Sequence, residues 1–266
     1  MTNKSSISGL KDVLSGFSRY SLVFMLGWQD VLQRYRRSAL GPFWLTISMG
    51  VMIGSIGFVF GQIFNAPMKE FLPFLAVGLI LWSFISTVIT DGCTGFISAE
   101  QIIKQVPMPL FVHILRIIWR NMLILFHNMI IFPITLLIFG RSLEFSSVVA
   151  IFGLLLLVIN LAWVSLTLGV LCARYRDLPQ MISSALQVLF YLTPIIWMPS
   201  LLPDRAGMYL LDLNPIYHLL AIVREPLLGG TPTALNWQIS IGMAVIGWSV
   251  TIAFYGRYKR RIAYWL

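Results

Sequence analysis

Carboxylates are scarce in this chain: ten aspartates and glutamates stand among 266 residues, against 19 lysines and arginines. Asp91, Glu100 and Asp177 are scattered, and His113, His127 and His218 have neither close mutual spacing nor carboxylate neighbours. Acid–base catalysis and zinc binding both need such groups converging on one place. The sequence therefore argues against an enzyme and against a metal centre, and no cofactor is expected. Were it an enzyme, an intramembrane lipid-linked glycan transferase with Asp91 or His127 as base would be the reading; a scaffold is another. Only two cysteines occur, Cys93 and Cys172, without CxxC or metal-type spacing, so packing is expected of them rather than a disulfide. A GxxxxGK[ST] phosphate loop is missing, as is any Gly-Lys pair, which excludes a P-loop ATPase within the chain.

Apolar residues are what the chain has in excess. They make up 58% of it, charged residues only 11%, and the mean hydropathy is +0.83. A water-soluble domain of this length would carry insoluble surface at such values, so an all-α integral membrane protein is expected, a single transmembrane domain over 1–266. About 20 apolar residues cross the hydrocarbon core, and six stretches qualify: 41–64, 71–91, 117–139, 146–172, 180–198 and 237–256. Six spans would place Lys4, Lys11, Arg19, Arg34, Arg36, Arg37, Lys104, Arg116, Arg120, Arg174, Arg176, Arg257, Lys259, Arg260 and Arg261 on one side. Lys69, Arg141, Arg205 and Arg224 fall on the other. The positive-inside rule then puts both termini in the cytosol and reads the net charge of +9 as orientation, not as nucleic-acid binding. The first 20 residues are polar and basic and lack the apolar core of a secretory signal.

Before the first span, Phe24, Trp28, Val31, Leu32 and Tyr35 recur at helical spacing, with Asp30, Gln33, Arg34 and Arg37 on the complementary face. This pattern predicts an N-terminal amphipathic interface helix over 21–38, lying along the membrane surface. Gly41-Pro42 turns the chain into the first span. Six of the 13 prolines lie between Pro194 and Asn236. That segment stays apolar, which predicts short re-entrant outer helices between spans five and six, with Asn214 as N-cap and Pro215 at the first helical position. Asn121, His127, Asn128 and Asn160 fall within spans three and four and are expected to bond across helices.

The order of RYRRSALGPFW, FVFGQIF, LPFLAVGLILWSFIS, ISAEQIIKQVPMPL, ARYRDLPQ, LNPIYHLLAIVREPLL and the closing YWL resembles the membrane subunit of ABC-2-type polysaccharide exporters, especially the O-antigen (Wzm-type) permeases. The resemblance implies a half-channel in the bacterial inner membrane that forms a homodimer, driven by a dimer of separate ABC ATPase subunits. Its substrate would be an undecaprenyl-linked polysaccharide, O-antigen before capsule or teichoic acid. A coupling helix to the ATPase would fall at 98–106, with Glu100, Gln101, Lys104 and Gln105 as polar contacts. Arg34, Arg36 and Arg37 would meet the lipid pyrophosphate, although attraction to anionic membrane lipids explains the same charges. The segment 199–236 would serve as an outer gate. Sugar C–H faces slide over aromatic rings; Phe43, Trp44, Phe58, Phe60, Phe190, Tyr191 and Trp197 are the candidates for a polysaccharide path, with lipid or helix packing as the alternative for each.

Overall fold

A computed structural model describes residues 2–36, 41, 43–140, 142, 144–201, 209 and 211–266, and among them all regular structure is helical. The helices are α1 (Thr2–Ser18), α2 (Tyr20–Tyr35), α3 (Phe43–Ile63), α4 (Met68–Ser98), α5 (Glu100–Gln105), α6 (Phe111–Met129), α7 (Ile131–Ile138), α8 (Val149–Arg174), α9 (Leu178–Leu192), α10 (Pro215–Leu227) and α11 (Ala234–Trp265). Short 3-10 turns lie at Phe145–Val148 and Pro199–Leu201. Among the described residues, five segments are long and apolar enough to cross a membrane: Phe43–Ile63, Met68–Ser98, Phe111–Ile138, Phe145–Arg174 and Ala234–Trp265. The fold is that of an all-α integral membrane protein.

The stretch expected to span at 180–198 is helical only from Leu178 to Leu192, 15 residues. Such a helix rises about 22 Å, less than the roughly 30 Å of the hydrocarbon core. Pro194 explains the stop, because a residue before proline is driven to extended backbone, and Thr193 has ψ 137°. Proline also divides the third stretch. Pro133 has no N–H to give the carbonyl four residues back, and the helix is broken at Ile130 into α6 and α7.

The most buried of these five segments, α4, stands at the centre, with α8, α6, α3 and α9 around it. α8 crosses it closely because Gly92 offers no side chain: a Cβ there would come within 2.7 Å of Ser165 Cβ. α10 lies against α8 in the same manner, since a Cβ on Gly153 would sit 2.2 Å from the Ile222 carbonyl oxygen. Behind α8 runs α11, which carries α1 on its far end, while α2 lies along α6. Of the helices around α4, α3 and α9 are attached lightly. The first buries only Ile53, Gly57 and Gly61, the second only Leu186.

α1 was absent from the expected helices, and its construction shows why. Its inward face is Gly9, Asp12, Val13 and Gly16, small or acidic, while Ile7, Leu10, Leu14 and Phe17 point outward. Asp12 holds it in place: its carboxylate accepts from the Phe111 N–H (3.2 Å) and the Tyr255 hydroxyl (2.6 Å), and Lys259 Nζ lies 2.7 Å away.

Candidate functional site

Residues Ser83, Ser86, Thr87 and Thr90 follow the three- and four-residue steps that line one face of a helix, and here that face of α4 bounds two joined hollows. The larger, about 630 Å³, is walled by Trp82, Ser86, Thr87 and Thr90 of α4, by Ser183, Gln187, Phe190 and Tyr191 of α9, and by Met52 of α3. A second, about 250 Å³, shares Met52 and Thr87 and adds Ser48, Ser83, Asn121 and Asn128. The aromatic wall is braced: Trp82 and Phe190 have ring centroids 5.6 Å apart, Phe190 and Tyr191 5.3 Å. Ser86 and Thr90 donate their hydroxyl protons to carbonyls of their own helix, at 3.2 and 2.9 Å. Their oxygens keep free lone pairs toward the groove. Asn128 is buried, and its Oδ1 accepts no bond among the described residues. The groove thus offers acceptors and ring faces, and no charge.

Charge is concentrated below it. Arg116 grips Asp30 with two N–H groups, Nε donating to Oδ2 at 2.7 Å and Nη2 bonding Oδ1. Arg120 reaches both ways, with Nη1 3.8 Å from Asp30 Oδ2 and Nη2 2.6 Å from Asp91 Oδ2. The Asn121 amide also donates to Asp91, at 2.9 Å. Two cations and two anions therefore tie α2 to α6 and α6 to α4. Asp91 follows Thr90 and Asn121 lines the smaller hollow, so this relay runs from α2 to the groove wall. Asp91 is thus held by Arg120 and Asn121, and His127 Nδ1 lies 2.9 Å from the Leu123 carbonyl of its own helix.

At the same end, α5 projects from the bundle with none of its residues buried. Glu100 and Lys104 form an ion pair at 2.6 Å, one helical turn apart, and this hydrogen bond holds the Glu100 carboxyl below its ordinary range. Ile102 and Val106 are exposed beside them. A short helix with exposed apolar and charged groups is chemically suited to a protein contact.

Residues 21–228 match the ABC-2 type transporter family. The chain belongs to that family. Two relatives from Klebsiella pneumoniae, each named O-antigen export system permease protein RfbA, are 23% identical to it over 92% of this chain and 94% of their own. A third of the same name, from Myxococcus xanthus, is 23% identical over 75% of this chain and 77% of its own.

In this ABC-2 chain the residues singled out from sequence are dispersed. Phe190 and Tyr191 line the groove. Phe43, Trp44 and Phe58 are exposed on α3, Phe60 pairs with Phe64 at 5.6 Å, and Trp197 donates to the Tyr191 carbonyl at 3.2 Å; none of these five borders the groove. Glu100, Gln101, Lys104 and Gln105 share α5. Arg36 is exposed at the end of α2; Arg37 and the side chain of Arg34 lie outside the described residues. Sequence reasoning missed the hydroxyl face of α4, Trp82 and the whole ion-pair relay. Arg116, Arg120 and Asn121 at near-helical spacing in an apolar segment were the available signal for the last, since charges there need partners.

Proposed function

We propose that this chain is the membrane half of an exporter that carries an undecaprenyl-linked polysaccharide of the O-antigen kind across the bacterial inner membrane. The observation that carries the reading is the uncharged groove between α4 and α9, where hydroxyls of Ser86, Thr87, Thr90 and Ser183 alternate with the rings of Trp82, Phe190 and Tyr191. A hydroxyl-rich polymer must be wetted without being held. Acceptor oxygens and ring faces do this, and fixed charges would not. The names of the relatives, which cover nearly the whole chain, support the same substrate class.

One chain supplies half of the path. A second copy closes the groove, and the lightly attached α3 and α9 form the seam. Both termini face the cytosol. A separate ATPase dimer docks on α5 through Glu100, Gln101, Lys104 and Gln105, and its closure is passed along the Asp30–Arg116–Arg120–Asp91 relay to the groove wall. The arginines at the end of α2 receive the lipid pyrophosphate, and the segment 199–236 gates the outer side as re-entrant helices, the α9 stretch completing a sixth crossing. The chain itself performs no hydrolysis.

Deleting the gene in its host tests this. Lipid-linked polymer should accumulate at the inner membrane and vanish from the surface, and restoring the gene should reverse both. Normal surface polymer would sink the reading; loss of polymer inside and out would hand the chain to biosynthesis.

A further inference from the structure

α11 buries one side along Asn236, Ser240, Ala244, Gly247, Thr251 and Tyr255, in steps of four and three. The opposite side is exposed along Ile246, Val250, Ala253, Arg257, Arg260 and Tyr264, again in steps of four and three. One continuous stripe therefore changes from apolar to cationic without a turn. From Leu235 to Phe254 the helix rises about 29 Å, which matches the roughly 30 Å of the hydrocarbon core. Arg257 then falls at headgroup depth, on the face whose upper part meets acyl chains.

The arginines are held apart by rings. Arg257 and Arg261 each lie 5.9 Å from the Tyr258 ring, Tyr258 stacks on Trp265 at 5.8 Å, and Arg174 of α8 lies 5.4 Å from Trp265. A guanidinium against a ring face keeps its N–H edge free for phosphate oxygens. Among the described residues none of Arg174, Arg257, Arg260 and Arg261 has a carboxylate partner, whereas their neighbour Lys259 is paired with Asp12. Asp177 lies near Arg174 in sequence and pairs with none of them.

We infer that the end of α11, with Arg174 of α8, is a headgroup site for an anionic phospholipid in the leaflet at the arginine-rich end. The lipid phosphate lies among Arg174, Arg257 and Arg261, and its acyl chains run along Ala253, Val250 and Ile246. The apolar continuation favours a lipid over an acidic protein surface, because a protein partner would have no use for the hydrocarbon half of the stripe.

The test is native mass spectrometry of lipids retained by the purified chain from mixed phosphatidylglycerol and phosphatidylcholine nanodiscs. The chain should retain phosphatidylglycerol in preference, and Arg257→Gln with Arg261→Gln should cut that preference roughly 25-fold, about fivefold for each arginine near an anionic surface. Arg257→Lys with Arg261→Lys should keep most of it, which separates lost charge from misfolding. No preference in the unaltered chain, or an equal one in the glutamine variant, would overturn the site. So would unchanged lipid retention with loss of a copurifying ATPase, which would assign the face to protein.

Discussion

Arg224 is the largest fully buried side chain, and no carboxylate pairs with it among the described residues. Its guanidinium lies 4.2 Å from the Phe74 ring centroid, and Nη1 donates to the Pro194 carbonyl at 2.5 Å. A buried cation so placed joins α10, α4 and the irregular backbone after α9 in one contact. Asn214 works beside it: its Oδ1 accepts from Ile216 N–H (3.0 Å) and Tyr217 N–H (3.3 Å), and its amide donates to Thr193 Oγ1 (2.9 Å). The cap was legible in the sequence, and its amide tie to the end of α9 was not. A desolvated cation–π contact contributes about 2 kcal/mol and a charged hydrogen bond about 1.5–3, partly offset by relief of the buried charge. Arg224→Ala is therefore expected to lower stability by about 3 kcal/mol in denaturant unfolding of the detergent-solubilised chain, with new protease cleavage after Pro194. Arg224→Lys keeps the charge but loses the planar stack and should fall between. Unchanged stability and cleavage in the alanine variant would show that the contact holds nothing.

Among elements, α2 and α6 are coupled by charges that apolar packing could have replaced. Buried ion pairs add little net stability over hydrophobic contacts of the same volume, but breaking one leaves an uncompensated charge. The relay is accordingly best read as a fixed register between helices. Asp30→Arg should lower polymer export at least tenfold by setting three cations together, and adding Arg116→Asp should restore most of it by reversing the pair. Both variants must be present in the membrane at normal levels for the comparison to count. Failure of the double exchange to recover any export would remove the pair from coupling. The helices themselves were readable, because runs such as LPFLAVGLILWSFIS announce burial on every side. What was not readable was which face carried the chemistry. Serine and threonine barely disturb hydropathy inside such a run, so the α4 face passed unnoticed, and aromatics at the span ends drew attention instead. α1 escaped for the converse reason: its apolar residues face outward and its acid faces in, against the pattern that periodicity arguments assume.

At the scale of the whole molecule, the groove lined by α4, α9 and Met52 of α3 is open on one side. Exposed apolar surface alone does not demand a partner in a bilayer, where lipid tails are as apolar as leucine. The stronger argument is that α3 is held by a single narrow stripe, Ile53, Gly57 and Gly61, while a polymer path needs closure from lipid. Twofold pairing of like surfaces is the commonest solution, and it would set α3 and α9 of one copy against those of the next. Val51 and Phe58 on α3 and Val188 on α9 are 63%, 68% and 59% exposed in one chain, and Val250 on α11 is 62% exposed. Exposure alone predicts equal reactivity at all four. Cys93 and Cys172 are both buried, which keeps the background low. Single cysteines placed at these positions should therefore give oxidative dimers in membranes from the α3 and α9 sites, and little or none from Val250→Cys. Dimers formed chiefly through Val250→Cys would place the seam on α11 and, at the same stroke, deny that face to lipid.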